Sequence, residues 1–418
     1  MKSILLTSTA LVAFAGAAVA ESHEEMAASA VVWGADGEFG YNEEVEGGFY
    51  FDGGLGVTTS AGMNMGLKAG LVLDVDLGFN GSRDTLITAG NTGAGTFSGI
   101  SVNASDFVIF VEGQGAALYI GDTKTASEKT WAGTRNMEND GFLEVDDVND
   151  GAKNGDFVDG VIRGDLTYGP VTASLSYLMA NGNRTTNDFN GLDGLQVGAV
   201  TTFGSVTAGL TYQEAVSRRL VNAKDTTTMV NGQSLTVADP NNPGTVNEVI
   251  GVFAASTFAG ADVKVAYAQN LTPDASSTGL QLDYPFGPVT ATVFYSFESD
   301  TEDNYGVEMR YANGPVSATA WYHDGNDEEV GIEGSYDTGM GLVAYAGYVQ
   351  NDGDSDAYEA YVAAEYDLGG GASLVASYGD DGRYNGVRPQ EIGFNASDEI
   401  GSSFEVNQGT TVAVKFTF

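Results

Sequence analysis

Between residues 169 and 378 one pattern recurs seven times: a glycine-containing tight turn followed by an alternating stretch that ends on tyrosine. The copies occupy 169–177, 204–212, 258–267, 287–295, 314–322, 339–348 and 370–378, ending at Tyr177, Tyr212, Tyr267, Tyr295, Tyr322, Tyr348 and Tyr378. Counting back from each tyrosine in twos, every one of the four positions per copy is Val, Ala, Leu or Tyr. The intervening positions include Thr172, Ser174, Asp262, Lys264, Thr290, Thr292, Ser317 and Ser373. Successive side chains of an extended strand point to opposite faces, so a strict period of two means that one face meets an apolar phase and the other meets water. A helix would need a period near 3.6, and this pattern has none.

The strands that lead into these turns are split the same way. Tyr305, Val307, Met309 and Tyr311 oppose Glu308 and Arg310, while Leu280, Leu282, Tyr284 and Phe286 oppose Gln281 and Asp283. Tyr358, Ala360, Val362, Ala364 and Tyr366 oppose Glu359 and Glu365, and Leu67 to Leu77 in steps of two oppose Lys68, Asp74 and Asp76. A one-residue slip would exchange the faces. In a bilayer a Lys or Arg turned outward near the midplane would cost about 2–4 kcal/mol, so the charges fix the register as firmly as the apolar residues do.

Alternation is also compatible with a soluble sandwich. Three features favour a membrane. Tyr168, Phe203, Phe258, Phe286, Tyr311, Tyr336 and Tyr366 lie near the tight turns, about eight residues from the repeat tyrosines, which at roughly 3.3 Å per residue and a tilt near 40° separates two aromatic girdles by on the order of 20 Å. Short turns alternate with longer polar connections such as 298–304, 323–329 and 351–356, as periplasmic turns alternate with extracellular loops. The chain closes on Val412, Val414, Phe416 and Phe418 on one face. Met1 and Lys2, the apolar run Ile4–Val19 and Ala18-Val19-Ala20 read as a signal peptide over residues 1–20, cleaved before Glu21, leaving 21–418 as a single domain in an exported protein.

Composition excludes several classes. With 57 acidic against 17 basic residues the formal net charge is -40, the wrong sign for a nucleic-acid partner. No cysteine is present, which removes disulfides, Cys-ligated metals and thiol nucleophiles. The 44 aromatic residues argue against disorder. No phosphate-binding G-x-x-x-x-G-K-[ST] occurs. Asp352-Gly-Asp-Ser-Asp356 opens like a calcium loop but has Ala357 and Ala363 where the motif wants Gly and Glu, so no cofactor is expected beyond weak divalent cation binding at acidic loops.

The segments 366–382 (YDLGGGASLVASYGDDG), 412–418 (VAVKFTF) and 107–122 (FVIFVEGQGAALYIGD) resemble the Gram-negative general porin family, most closely the alphaproteobacterial porins. The resemblance implies a homotrimer in the outer membrane, in contact with lipid and lipopolysaccharide, passing small hydrophilic solutes and ions. It also implies 16–18 strands. The segments counted here are one strand near 30–41, pairs over 47–79 and 107–121, the seven hairpins and a last strand. The fold expected is therefore all-β, a transmembrane antiparallel β-barrel of 16–20 strands with 20 the best count.

With the apolar face outward, the polar face lines a water-filled lumen. Its expected channel-lining residues are Lys68, Asp74, Asp76, Arg163, Asp165, Lys264, Asp283, Glu308 and Arg310, with Glu333, Glu359 and Glu365 beside them. Between Asp122 and Asp159 the strand pattern weakens, and by resemblance this segment is the loop that folds inward and narrows the barrel. Its acids, Glu138, Asp140, Glu144, Asp146, Asp147 and Asp150, would face basic wall residues and create a transverse field. Passive diffusion with a weak cation preference is the leading function. Alternatives are a sugar-type channel in which Phe294, Trp321, Tyr345 and Tyr361 offer a stacking path, a barrel hydrolase based on His323, one of two histidines with His23, and a plugged structural barrel or adhesin.

Overall fold

A computed structural model describes residues 30–43, 48–63, 66–80, 101–142, 160–179, 192–218, 226–230, 233–237, 244–325, 328–351, 357–381, 406 and 408–418. In chain order the strands are β1 (Ala30–Asn42), β2 (Phe49–Gly62), β3 (Lys68–Asn80), β4 (Ser101–Gly113), β5 (Ala116–Gly121), β6 (Val161–Tyr168), β7 (Val171–Met179), β8 (Leu192–Phe203) and β9 (Val206–Gln213). Next come the short β10 (Val216–Arg218), β11 (Thr226–Val230), β12 (Gln233–Val237) and β13 (Gly244–Val246). The series ends with β14 (Val249–Phe258), β15 (Ala261–Asn270), β16 (Ala275–Phe286), β17 (Val289–Glu298), β18 (Asn304–Asn313), β19 (Val316–Asp324), β20 (Glu329–Asp337), β21 (Leu342–Asn351), β22 (Ala357–Gly369), β23 (Ala372–Asp381) and β24 (Gly409–Thr417).

Twenty of these form one antiparallel sheet in which every barrel strand pairs with its neighbours along the chain, β9 joining β14 directly. The sheet closes on itself where β1 pairs with β24 from Asp36↔Thr417 to Asn42↔Thr411, and Ala35 and Phe418 exchange backbone hydrogen bonds of 3.1 and 2.7 Å. Closure leaves no edge strand, which is what a sheet needs to sit in lipid, where nothing else can satisfy an unpaired backbone group. A two-layer sandwich does not have this topology. The count is 20, above the 16–18 that the family resemblance alone implied.

Turn chemistry sets the hairpins. Gly169-Pro170, Gly287-Pro288 and Gly314-Pro315 each form a two-residue turn with glycine first at φ 57–62°, a sign of φ that suits the right-handed twist of the flanking strands. The unusually wide gap between Tyr212 and Tyr267 is filled by two small ribbons outside the barrel sheet, β10 with β13 and β11 with β12.

Burial runs opposite to that of a soluble protein. The outward side chains are apolar and bare: Tyr168 and Phe203 are each 84% exposed and Phe258 76%, with Leu210, Val293, Met309 and Val362 among many others along the wall. The buried side chains on the other face include many polar ones, Ser174, Ser176, Gln196, Thr211, Gln213, Ser277, Ser296 and Glu308 among them, beside rings such as Phe253 and Phe294. Apolar area left in water would forfeit about 25 cal/mol per Å2, so this exterior is built for hydrocarbon.

Candidate channel and its inner wall

The polar face of the closed sheet encloses a lumen, and residues 122–142 lie inside it against one side of the wall. The segment contains a single helical turn, α1 (Ala126–Thr130), whose first N–H groups are capped by Thr125 Oγ1, accepting from Glu128 N at 3.1 Å. Three rows of directly opposed residues on the wall receive it. The first row runs Ser176–Gln196–Gln213–Val249, the second Ser174–Gly198–Thr211–Gly251–Ala268–Ser277, and the third Val200–Gly209–Phe253–Ala266–Gly279.

Polar anchors hold the segment along its length. Ala126 N donates to Ser176 Oγ (2.8 Å), Ser127 N to Gln196 Oε1 (3.3 Å) and Asn139 N to Ser277 Oγ (2.8 Å). Thr130 and Thr211 hydroxyls share a 3.1 Å bond, and Gln213 Nε2 donates to Gly141 O at 3.3 Å. Apolar contacts add to these: Trp131 packs on Phe142 and Phe253 at 5.0 and 6.1 Å between ring centroids.

Charge arrangement departs from the expected one. Arg163 and Lys264, expected to line open wall, lie under the segment and hold its backbone, Arg163 Nη1 donating to Lys124 O and Lys264 Nζ to Gly133 O (3.1 Å). Asp165 receives Lys129 Nζ at 2.5 Å and also contacts Arg163. Glu308 is bracketed by Arg135, whose Nη1 and Nη2 donate to its two oxygens at 2.5 and 3.3 Å, and by Arg310. Thus the described half of the segment brings cations, Lys124, Lys129 and Arg135, where the sequence reading stressed acids. These three supply three of the chain's 17 bases within a dozen residues, a clustering visible in the sequence.

The other expected residues sort as follows. Lys68 stands over the Phe110 ring (5.3 Å) and 4.0 Å from Glu112, and Asp283 accepts from Thr292 and Gln281 (2.5 and 2.9 Å). Asp74 shares the lumen face with Lys68, and Asp76 falls on the same register face of β3. Glu138 accepts from Asn304 Nδ2 at 3.1 Å. Asp140 accepts from Trp131 Nε1 at 3.0 Å. Burial pushes the Asp140 carboxyl up to about 6, helped by Glu298 and Glu138 and opposed by the Trp131 hydrogen bond. Residues 1–20, His23, Glu144, Asp146, Asp147, Asp150 and 352–356 lie outside the described residues.

Phe294, Trp321 and Tyr361 face inward as expected, yet they are only 2%, 8% and 4% exposed. Each lies over the glycine directly opposite on the next strand: Phe294 over Gly306, Trp321 over Gly331 and Tyr361 over Gly347. Tyr345 packs beside this cluster. Rings sunk into the wall offer a passing sugar little face to stack on. His323 meets the Phe294 ring edge-on at 5.3 Å, its Nδ1 lies 3.9 Å from Glu329 Oε1, and its Nε2 is buried with no hydrogen-bond partner among the described residues.

A closed, apolar-coated β-barrel with a polar lumen and an inward-folded segment is a transmembrane channel. A family model for Gram-negative porins matches residues 7–236 and 221–386. The chain belongs to that family, and its family and fold are those of a general outer-membrane diffusion channel. Among solved structures, three engineered variants of the Rhodopseudomonas blastica porin align over 93% of this chain and 100% of theirs, at 14% identity with TM-scores of 0.38, 0.38 and 0.37. At those scores the superposition adds no detail to the family assignment. No curated protein matches.

Proposed function

We propose that this porin passes small hydrophilic solutes and ions by diffusion with a weak preference for cations, and that the segment from Asp122 to Asp159 forms its constriction. The observation that carries the reading is the packing of residues 122–142 on the inner wall, which leaves the rest of the lumen lined by carboxylates. Across that uncovered wall stand Glu38, Asp74, Glu112, Glu333 and Glu365, with Lys68, Arg310 and Lys415 as the bases near them. A lumen with this excess of negative charge raises the local concentration of cations.

The same reading includes export through a cleaved signal peptide over residues 1–20, assembly as a homotrimer in contact with lipopolysaccharide, and weak divalent cation binding at the acidic outer connections. Purified protein in a planar bilayer should give large ohmic conductance steps, with a reversal potential under a potassium chloride gradient displaced toward the cation value. Absence of steps refutes the channel, and a reversal potential of anionic sign refutes the selectivity.

A further inference from the structure

We propose that Gly198, Gly251 and Gly279 are positioning residues for permeation: they form the seat that fixes how far residues 122–142 stand off the barrel wall, and so set the aperture. The inference rests on the reading of that segment as the constriction. Most lumen-facing glycines that would crowd a side chain are covered by an aromatic ring of the wall itself, as at Gly40, Gly70, Gly209, Gly306, Gly331 and Gly347. These three are instead filled from the inward segment. A Cβ at Gly198 would stand 2.9 Å from Thr130 Cγ2, one at Gly251 2.7 Å from Trp131 Cε3, and one at Gly279 2.9 Å from Thr134 Cβ.

Carbon atoms rest at roughly 3.5–4.0 Å, so a methyl group at any of the three positions collides with the side chain seated there, and that side chain or the segment carrying it must move. The flanking wall positions are small and tightly covered as well, Thr211, Ala268 and Ser277 being fully buried. Thr134 Oγ1 is buried with no hydrogen-bond partner among the described residues, so Thr134 occupies the Gly279 hollow by shape. Polar anchors on either side, at Gln196 and Ser277, fix the segment along the wall, while the glycines fix its height above it.

The test is unitary conductance of the full chain carrying Gly198→Ala, Gly251→Ala or Gly279→Ala, with an intact barrel verified by its heat-dependent gel mobility. Each substitution is expected to lower conductance, because the segment moves toward the pore axis. In a double-mutant cycle, Gly251→Ala should have no further effect once Trp131→Ala has removed the ring, and Gly279→Ala none beside Thr134→Gly. Gly164→Ala, whose Cβ would meet nothing within 4 Å, should leave conductance unchanged. Unaltered or raised conductance in the single variants, an equal loss in Gly164→Ala, or absence of coupling in the cycles overturns the proposal. Should the alanine variants fail to fold, Thr134→Gly alone, which leaves the wall intact, should let the segment settle and raise conductance, and no rise there overturns it equally. Deleting residues 126–141 tests the constriction separately: if that leaves conductance unchanged, the constriction reading fails whatever the glycine variants do.

Discussion

Asp140 should make the inward segment's hold on the wall depend on pH, and Asp140→Asn should remove most of that dependence. Its carboxyl is raised from 3.8 to about 6 by burial beneath Trp131 and by the neighbouring Glu298 and Glu138. The folded state therefore binds the proton more tightly than the unfolded chain. That contribution is fully present below about pH 4 and is lost as the pH rises through about 6. At about 1.36 kcal/mol per unit the difference is on the order of 3 kcal/mol at neutral pH, an upper figure if the segment can shift to let water reach the carboxylate. Asparagine keeps an oxygen to accept from Trp131 Nε1 but carries no charge, so the variant should hold the segment at neutral pH as the parent does in acid. Hydrogen exchange of the amides in 126–141, compared between parent and variant at the same pH, measures this directly. The two should match at about pH 4, and the variant should be better protected at about pH 7.5. Equal protection at both values refutes the argument.

Three further outcomes follow from the geometry. Val293→Arg, pointing outward from the middle of β17, should cost about 2–4 kcal/mol and impair assembly, whereas Thr292→Arg, one residue away on the lumen face, should assemble; comparing folded yield in outer membranes checks it. Glu308→Gln leaves Arg135 and Arg310 without their shared carboxylate, which should displace the reversal potential toward the anion side while weakening the segment's tether by about 1.5–3 kcal/mol. Gly331→Ala forces the Trp321 ring out of its hollow on the neighbouring strand, and the overpacking should destabilise the barrel by about 1–3 kcal/mol, read as a lower denaturant midpoint.

The wall was legible in the sequence because its two faces meet solvents as different as hydrocarbon and water, and a period of two records that difference residue by residue. Val171, Ala173, Leu175 and Tyr177 could belong only to one face. The count of 20 followed from the same pattern, since each change of direction leaves its own turn residues. What the pattern could not carry was the ribbon pairs of β10–β13, whose strands of three to five residues lie outside the two-solvent wall. Nor could it carry the seat of the inward segment. That seat joins Gly198, Gly251 and Gly279 with Ser174, Thr211, Ala268 and Ser277, residues spread over a hundred positions that come together in two rows only once the barrel register is known. The acids after Glu138 drew the eye because they outnumber everything near them. Among the described residues the ion pairs with the wall are made by the earlier cations Lys129 and Arg135, and a single strand of sequence does not reveal which charges a wall will meet.

Charge and glycine content are two consequences of one constraint. The outer band must stay apolar, so a chain with a net charge of -40 has only its connections and its lumen in which to place ionised groups. A charged lumen admits water and leaves only small apolar clusters, one around Trp131 and Phe253 and one around Trp321 and Tyr361, to position the inward segment and hold the wall's own aromatic rings. Shape has to complete that task, and the smallest residue provides it. The rings of Phe294, Trp321 and Tyr361 drop into Gly306, Gly331 and Gly347, while Thr130, Trp131 and Thr134 drop into Gly198, Gly251 and Gly279. Removing the methyl group at one position thus builds a socket for the residue opposite, which is a way to order side chains without excluding water from the rest of the pore. On this view the 58 glycines of the chain are not only turn formers: those on the lumen face decide which parts of the wall are smooth and where the passage narrows.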